Sequence, residues 1–295
     1  MYNPFSENRK ENVTDEQLIV SVANGDKQSL ELLVNRHQNW IYNIILHMVN
    51  NSHDAKDITQ EVLIKIITKL GTFRRNSNFR TWLYRIVINH CLSFKRNESK
   101  KSYSDKFKKY AREIDNSPDA ELPDKDSLPV DSDIIVEEVK LTCLHGMLLC
   151  LDEKHRIVFI LGSVLYIPDK VGAEIMNISY DNYRKRLSRA RKDIYNFMNE
   201  KCGLINPANA CLCSRKTKAL IDSNYINPHQ LVFNSNYSYR IEQVIGKKLN
   251  DLDTFFDEKC EKLFSEYPFQ NSPDFVMYLR KLLETKKFKE IFNFN

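Results

Sequence analysis

Glycine and proline are scarce. Seven glycines and nine prolines in 295 residues are too few for an all-β fold with many tight turns, and they suit an all-α chain. Long apolar runs are missing as well. No stretch approaches the about eighteen residues of a membrane-spanning helix, so no membrane partner is expected. The opening segment MYNPFSENRKENV lacks the apolar core of a signal peptide, and a cytoplasmic location is expected. Cysteines number seven, an odd count at irregular spacings, which argues against a secreted disulfide framework. No glycine-rich phosphate loop and no HExxH pair occurs. The chain has no evident catalytic constellation. It is expected not to be an enzyme and to require no cofactor.

Charge is abundant and unevenly spread. The net charge is +5. Between Arg74 and Lys101 stand eight bases and one acid, Glu98. Between Glu113 and Glu138 stand ten acids and one base, Lys125. From Asn182 to Lys192 there are six bases and no acid. Two basic blocks around an acidic one suggest two sites for a polyanion, separated by a segment that avoids or mimics one.

Helical patterning begins at TDEQLIVSVANGD. Thr14 with Gln17 three residues later makes a capping box, and Gly25 closes the helix. A longer amphipathic helix follows over 29–50. The next, 52–70, places Asp54, Asp57 and Glu61 on one face and Ile58, Val62 and Ile66 on the other. Residues 98–136 lose the periodicity. Pro118, Pro123, Pro129 and the acidic bias there predict a flexible linker. Helix returns at 133 and continues, with breaks, to Met198. Two further helices are expected at about 239–264 and 273–292.

The segment FRTWLYRIVINHCLSFKR, 79–96, combines aromatic, basic and β-branched residues. Leu83, Ile86, Val87, His90, Cys91 and Phe94 recur as one buried helical face. Arg85, Asn89 and Arg96 share another face, with Trp82 one turn before Arg85. Taken alone, the segment reads first as an ordinary solvated amphipathic helix with a tryptophan anchor.

The second basic block, IPDKVGAEIMNISYDNYRKRLSRARKD, reads as helix, short turn, helix. Asn177 sits where the turn needs a left-handed residue. Ile178 plugs the corner, and Ser179 caps the second helix. Leu187, Ala190 and Ile194 face inward, leaving Tyr183, Arg184, Arg186, Arg189 and Arg191 outward. This is the layout of a DNA-binding helix-turn-helix, whose second helix enters the major groove. A helical hairpin with a basic exterior is the plainer alternative.

Three motifs, DAKDITQEVLIKI, FRTWLYRIVINHC and RKRLSRARKDI, occur in that order. Together they resemble bacterial RNA polymerase sigma factors of the extracytoplasmic-function (ECF) group over about residues 14–198. The resemblance implies sigma domain 2 at 14–97, a linker at 98–136, sigma domain 4 at 137–198 and a C-terminal extension at 199–295. It implies promoter DNA and core RNA polymerase, through its beta-prime clamp and beta flap, as partners. Asp54, Asp57, Gln60 and Glu61 would meet the clamp. Arg74, Arg75, Asn76, Asn78, Arg80, Trp82, Tyr84, Arg85, Asn89 and Arg96 would serve the minus-ten element. There, unstacked bases are held on aromatic platforms and by polar pockets, and arginines hold phosphates. Ser179, Tyr183, Arg184, Arg186, Arg189 and Arg191 would serve the minus-thirty-five element. The first helix of the hairpin departs from the usual pattern: Gly172 stands where an apolar residue is expected, and Asn177 replaces a turn glycine.

Cys202, Cys211 and Cys213 form C-x8-C-x-C, which is not a standard zinc spacing. They are candidates for metal or redox sensing, with His229 or Cys260 as a fourth ligand, or else are simply reduced thiols in a small subdomain. The extension is aromatic-rich and is expected to fold and either pack on the preceding domains, regulating them in cis, or bind another protein, with a passive structural extension as the alternative; an anti-sigma factor is the other candidate partner. The rival function is a stand-alone helix-turn-helix regulator, which would need a dimer interface and palindromic sites.

Overall fold

The structure is a computed structural model that describes residues 13–49, 51–74, 78–94, 103–122, 128–233, 256–265 and 269–285. Among these residues every regular element is helical, in keeping with the all-α expectation. No helix among them is long and apolar enough to cross a membrane. The chain divides into two compact units.

The first unit comprises the described parts of 1–98, 167–184 and 269–295. Helix α1 (Asp15–Ala23) starts with the expected capping box: Gln17 N–H donates to Thr14 Oγ1 at 3.3 Å, and Thr14 N–H to Gln17 Oε1 at 2.8 Å. Helix α2 (Lys27–Val49) is the unit's centre, buried on every side from Trp40 to Met48. It packs against α1, α3 (Ser52–Lys69), α4 (Phe79–Phe94) and the later α12 (Phe275–Leu283). Asn51 caps α3 by accepting from His53 and Asp54 N–H. Ile58, Val62 and Ile66 are buried, which leaves the acidic face outward. Helix α8 (Asp169–Met176) packs on α4.

The second unit comprises the described parts of 99–166 and 185–268. Its centre is α6 (Ser132–Cys150), flanked by α5 (Tyr103–Asn116) and α10 (Cys213–Asp222). Helix α7 (Glu153–Phe159) ends in a buried π-helical turn, Ile160–Val164. Arg156 lies buried and donates to the carbonyls of Leu148, Leu149 and Leu151, each at 2.9 Å, so it closes the open end of α6. Helix α11 (Phe256–Ser265) packs on the π turn, with Phe264 edge-on to Phe159 at 4.9 Å. Helix α9 (Tyr180–Lys201) contains the boundary between the units, at residues 184 and 185.

One expectation is corrected. The stretch read as a flexible linker contains α5. Its Phe107 and Tyr110 pack on Phe197, and the Tyr110 hydroxyl donates to Cys143 O at 3.1 Å. Gly146 makes room for that ring: a Cβ there would lie 2.5 Å from the Tyr110 hydroxyl. The described parts of the extension divide between the two units. Ile226 joins Ile135 and Val139 in one apolar cluster. Buried Glu138 accepts from the backbone N–H groups of Val232 and Phe233 at 2.6 and 2.9 Å. Of the two helices expected there, the residues 239–255 and 286–292 lie outside the described residues.

Candidate nucleic-acid and protein interfaces

The acidic face of α3 stands as its spacing predicts. Asp54, Asp57 and Glu61 are exposed and Gln60 is half-buried. Glu61 also meets His90 Nε2 of α4 at 3.2 Å, a link the sequence reading missed.

The edge of α4 differs from expectation. Leu83, Val87 and Cys91 are buried as expected, but so are Tyr84 and Ile88, while Ile86 and His90 are only half-buried. The buried arc is wider and turned, because α2, α3 and α8 all pack on this helix. Tyr84 is fully buried, with its hydroxyl 3.3 Å from His37 Nδ1, and so offers no platform to a base. Arg80 is 8% exposed and meets Asp15 at 2.8 Å, so its charge is used inside the protein rather than on phosphate. Arg85 is half-buried and donates to Glu174 O of α8 at 2.7 Å. What remains outward is Asn89, Arg74 and Asn78, with Trp82 half-buried, stacked on Phe79 and tilted against Phe73. Asn78 also caps α4 by accepting from Arg80 N–H at 3.0 Å. Arg75, Asn76, Arg96 and the side chain of Phe94 lie outside the described residues.

The hairpin is built as the turn chemistry predicts. Asn177 is left-handed, φ 52 and ψ 47. Ser179 Oγ accepts from Asn182 N–H at 3.3 Å. Tyr183 is the correction. It is fully buried, and a Cβ at Gly172 would clash with its ring at Cζ. The missing side chain on α8 and the inward tyrosine of α9 are thus one feature. Tyr180 is the aromatic that stands outward, with the Arg184 guanidinium 5.6 Å above its ring. Arg184 is mostly exposed and its nearest acid, Asp169, is 3.9 Å away. Arg189 is exposed and Arg186 half-buried. Arg191 is committed within the second unit, donating to Ser163 Oγ at 2.9 Å and pairing with Glu261 of α11 at 3.2 Å.

Cys202, Cys211 and Cys213 are free thiols, each half-buried. Gly203 N–H donates to Cys211 O at 2.9 Å, which folds the segment back on itself. Burial raises all three thiol pKa values, and that of nearby Cys143 to about 12, so the neutral thiol prevails. Among the described residues, no group of three or more His, Cys, Asp or Glu is placed to hold a metal ion. The three cysteines do not form a ligand set with exposed His229 or buried Cys260.

The sigma-70 region 2 family model matches residues 33–101, which take in most of α2 and all of α3 and α4. The chain is similar to ECF sigma factors. It is 45% identical to the RNA polymerase sigma-H factor of Pseudomonas aeruginosa over 75 residues, or 25% of this chain and 39% of that protein. It is 28% identical to the ECF RNA polymerase sigma-E factor of Haemophilus influenzae over 192 residues, or 63% of this chain and 96% of that protein. A solved structure, CnrH in complex with the cytosolic domain of CnrY, matches with a TM-score of 0.47 and 18% identity, over 63% of this chain and 97% of that one. The alignment with the Haemophilus protein, at 63% of this chain, leaves more than a third of it uncovered.

Proposed function

We propose that this chain binds core RNA polymerase and directs promoter recognition, duplex opening and initiation at a specific set of genes. The observation that carries this reading is the coincidence of the region 2 match with α2–α4, where an exposed acidic face lies on one helix and a polar, partly aromatic edge on the next. In this reading Asp54, Asp57, Gln60 and Glu61 bind the polymerase clamp. Arg74, Asn78, Trp82 and Asn89 serve the minus-ten element, and Arg184, Arg186 and Arg189 the minus-thirty-five element. Gel filtration with core polymerase is the test. The chain should co-elute, and Asp57→Lys with Glu61→Lys should abolish co-elution while the helical circular dichroism is kept. A chain that binds promoter DNA without core would instead be a stand-alone regulator.

We further infer that the C-terminal segment restrains this activity in cis, since it docks on the matched region itself. Within the first unit, residues 269–283 form a strap on α2. Asn43 and Gln270 exchange two hydrogen bonds of 2.8 Å. Ser272 N–H donates to Asn39 Oδ1 at 3.0 Å and Phe275 N–H to Gln38 Oε1 at 3.2 Å. Phe269 packs on Trp40, buried Phe275 on Tyr42, and Arg280 forks onto Glu31 with two contacts of 2.7 Å. Within the second unit, Glu261 takes up Arg191. Removing the strap's anchor by Phe275→Ala should make the segment more sensitive to protease and raise initiation from the target promoter. Increased cleavage with unchanged initiation would make the strap a passive clasp.

A further inference from the structure

Asp15, the first residue of α1, is 1% exposed, and an isolated carboxylate in that position would be costly. It is held by three cationic or protonatable side chains. Arg36 Nη1 donates to Oδ1 at 2.6 Å, while Arg80 Nε and His37 Nε2 meet Oδ2 at 2.8 and 3.3 Å. Arg36 Nη2 also donates to Val13 O at 3.0 Å. Burial pushes the carboxyl pKa up, but hydrogen bonding and charge from His37 and Arg36 outweigh this and hold it below the usual range. Asp15 is therefore ionised, and it joins α1 to α2 and α4.

The joint falls at one place on α4. Arg80 is its second residue and follows Asn78, which caps the helix. His37 reaches the Tyr84 hydroxyl and lies edge-on to Phe79, ring centroids 6.0 Å apart. Phe79 stacks on Trp82 at 5.6 Å, and Phe73 stands 5.4 Å from both. Through Arg80 and His37, Asp15 thus reaches the residues that set the first turn of α4.

We propose that Asp15 is a positioning residue for promoter opening, fixing the first turn of α4 so that Asn78 and Trp82 meet an unstacked base. This rests on the reading of the α4 edge as the promoter-opening surface. Capturing a base on a ring and a polar group requires both to be held to within about 0.5 Å by the residues behind them. Asp15 touches no DNA in this scheme and acts only through Arg80 and His37.

The experiment compares full-length Asp15→Asn with Leu30→Ala, a core truncation on α2, at temperatures giving equal folded fractions. Each is assayed with core polymerase on the duplex upstream of the chain's own gene and on the same DNA mismatched across the minus-ten element. Asp15→Asn should keep core binding, lose about tenfold in initiation on the duplex and less than about threefold on the mismatched template. Leu30→Ala should lose less than about twofold on either. Equal losses in the two variants, or equal losses on the two templates, overturn the proposal. Should Asp15→Asn fail to fold, Arg80→Lys, which keeps the charge but not the guanidinium geometry, is expected to show the same template dependence, and full duplex activity from it overturns the proposal. A wild-type chain that binds core yet gives no initiation on either template overturns the reading of the α4 edge, and this inference with it, before any variant is compared.

Discussion

Helices α4 and α9 start from the same materials, arginines beside aromatics at helical spacing, and deploy them in opposite directions. On α4 the charge turns inward: Arg80 to Asp15, and Arg85 to the Glu174 carbonyl. On the first turns of α9 the aromatic turns inward and the charge stays out, with Tyr183 against Gly172 and Arg184 over exposed Tyr180. A count of bases therefore overstates what α4 can offer to a polyanion and describes α9 better. The difference lies in the neighbours. Helix α4 has α1, α2 and α8 around its start, and they supply an acid and a carbonyl. The start of α9 faces a helix whose glycine receives a ring.

The comparison is most sharply tested at Gly172. A methyl group there would occupy the space of the buried Tyr183 ring, and both residues sit in packed surroundings. Gly172→Ala should lower stability by about 1–3 kcal/mol, even though alanine has the better helix propensity and would stabilise an open helical site. Thermal unfolding of the full chain measures this. Paired with Tyr183→Phe, which removes only a hydroxyl, the loss should remain largely in place, since the clash involves the ring itself. A neutral or stabilising Gly172→Ala would show that the ring has another seat, and the inward tyrosine would no longer distinguish α9 from α4.

The local signals were legible in the sequence. The Thr14–Gln17 capping box, the left-handed Asn177, the Ser179 cap and the buried Ile58, Val62 and Ile66 stripe each depend on residues a few positions apart. The positions that went astray depend on distant partners. Arg80 and Tyr84 fit an outward DNA-facing edge until Asp15 and His37 arrive from other helices. Tyr183 fits it until a glycine on α8 opens a space. Helix α5 was hidden by its composition: its charges and the prolines that follow it mask Phe107 and Tyr110, which pack on Phe197 in the second unit. The strap on α2 was beyond reach for the same reason, since its hydrogen bonds join Asn39 and Asn43 to backbone groups more than two hundred residues away. The expectation of a folded, docking tail came from its aromatic content alone.

The smallest expected change in stability belongs to the outward arginines, and it sets them apart from Arg80. Arg184 pairs only distantly with Asp169, at 3.9 Å with both side chains open to solvent, and exposed pairs contribute little. Arg189 is exposed on the same helix. Arg184→Ala and Arg189→Ala should each leave stability within about 0.5 kcal/mol of the parent, while both weaken binding of upstream promoter DNA. The two should differ in kind. Arg184 sits in the first turns of the candidate recognition helix, where such helices meet base edges. Its loss should cost about 1–3 kcal/mol and relax the preference at one base pair. Arg189 lies farther along, where a phosphate contact is the natural role, so its loss should weaken all sequences alike and reduce the salt slope of binding by about one. Binding isotherms at several salt concentrations, on the promoter and on single-base variants of it, separate the two. An Arg184→Ala chain that unfolds at markedly lower temperature would mean that α9, like α4, uses its first arginine inside the protein.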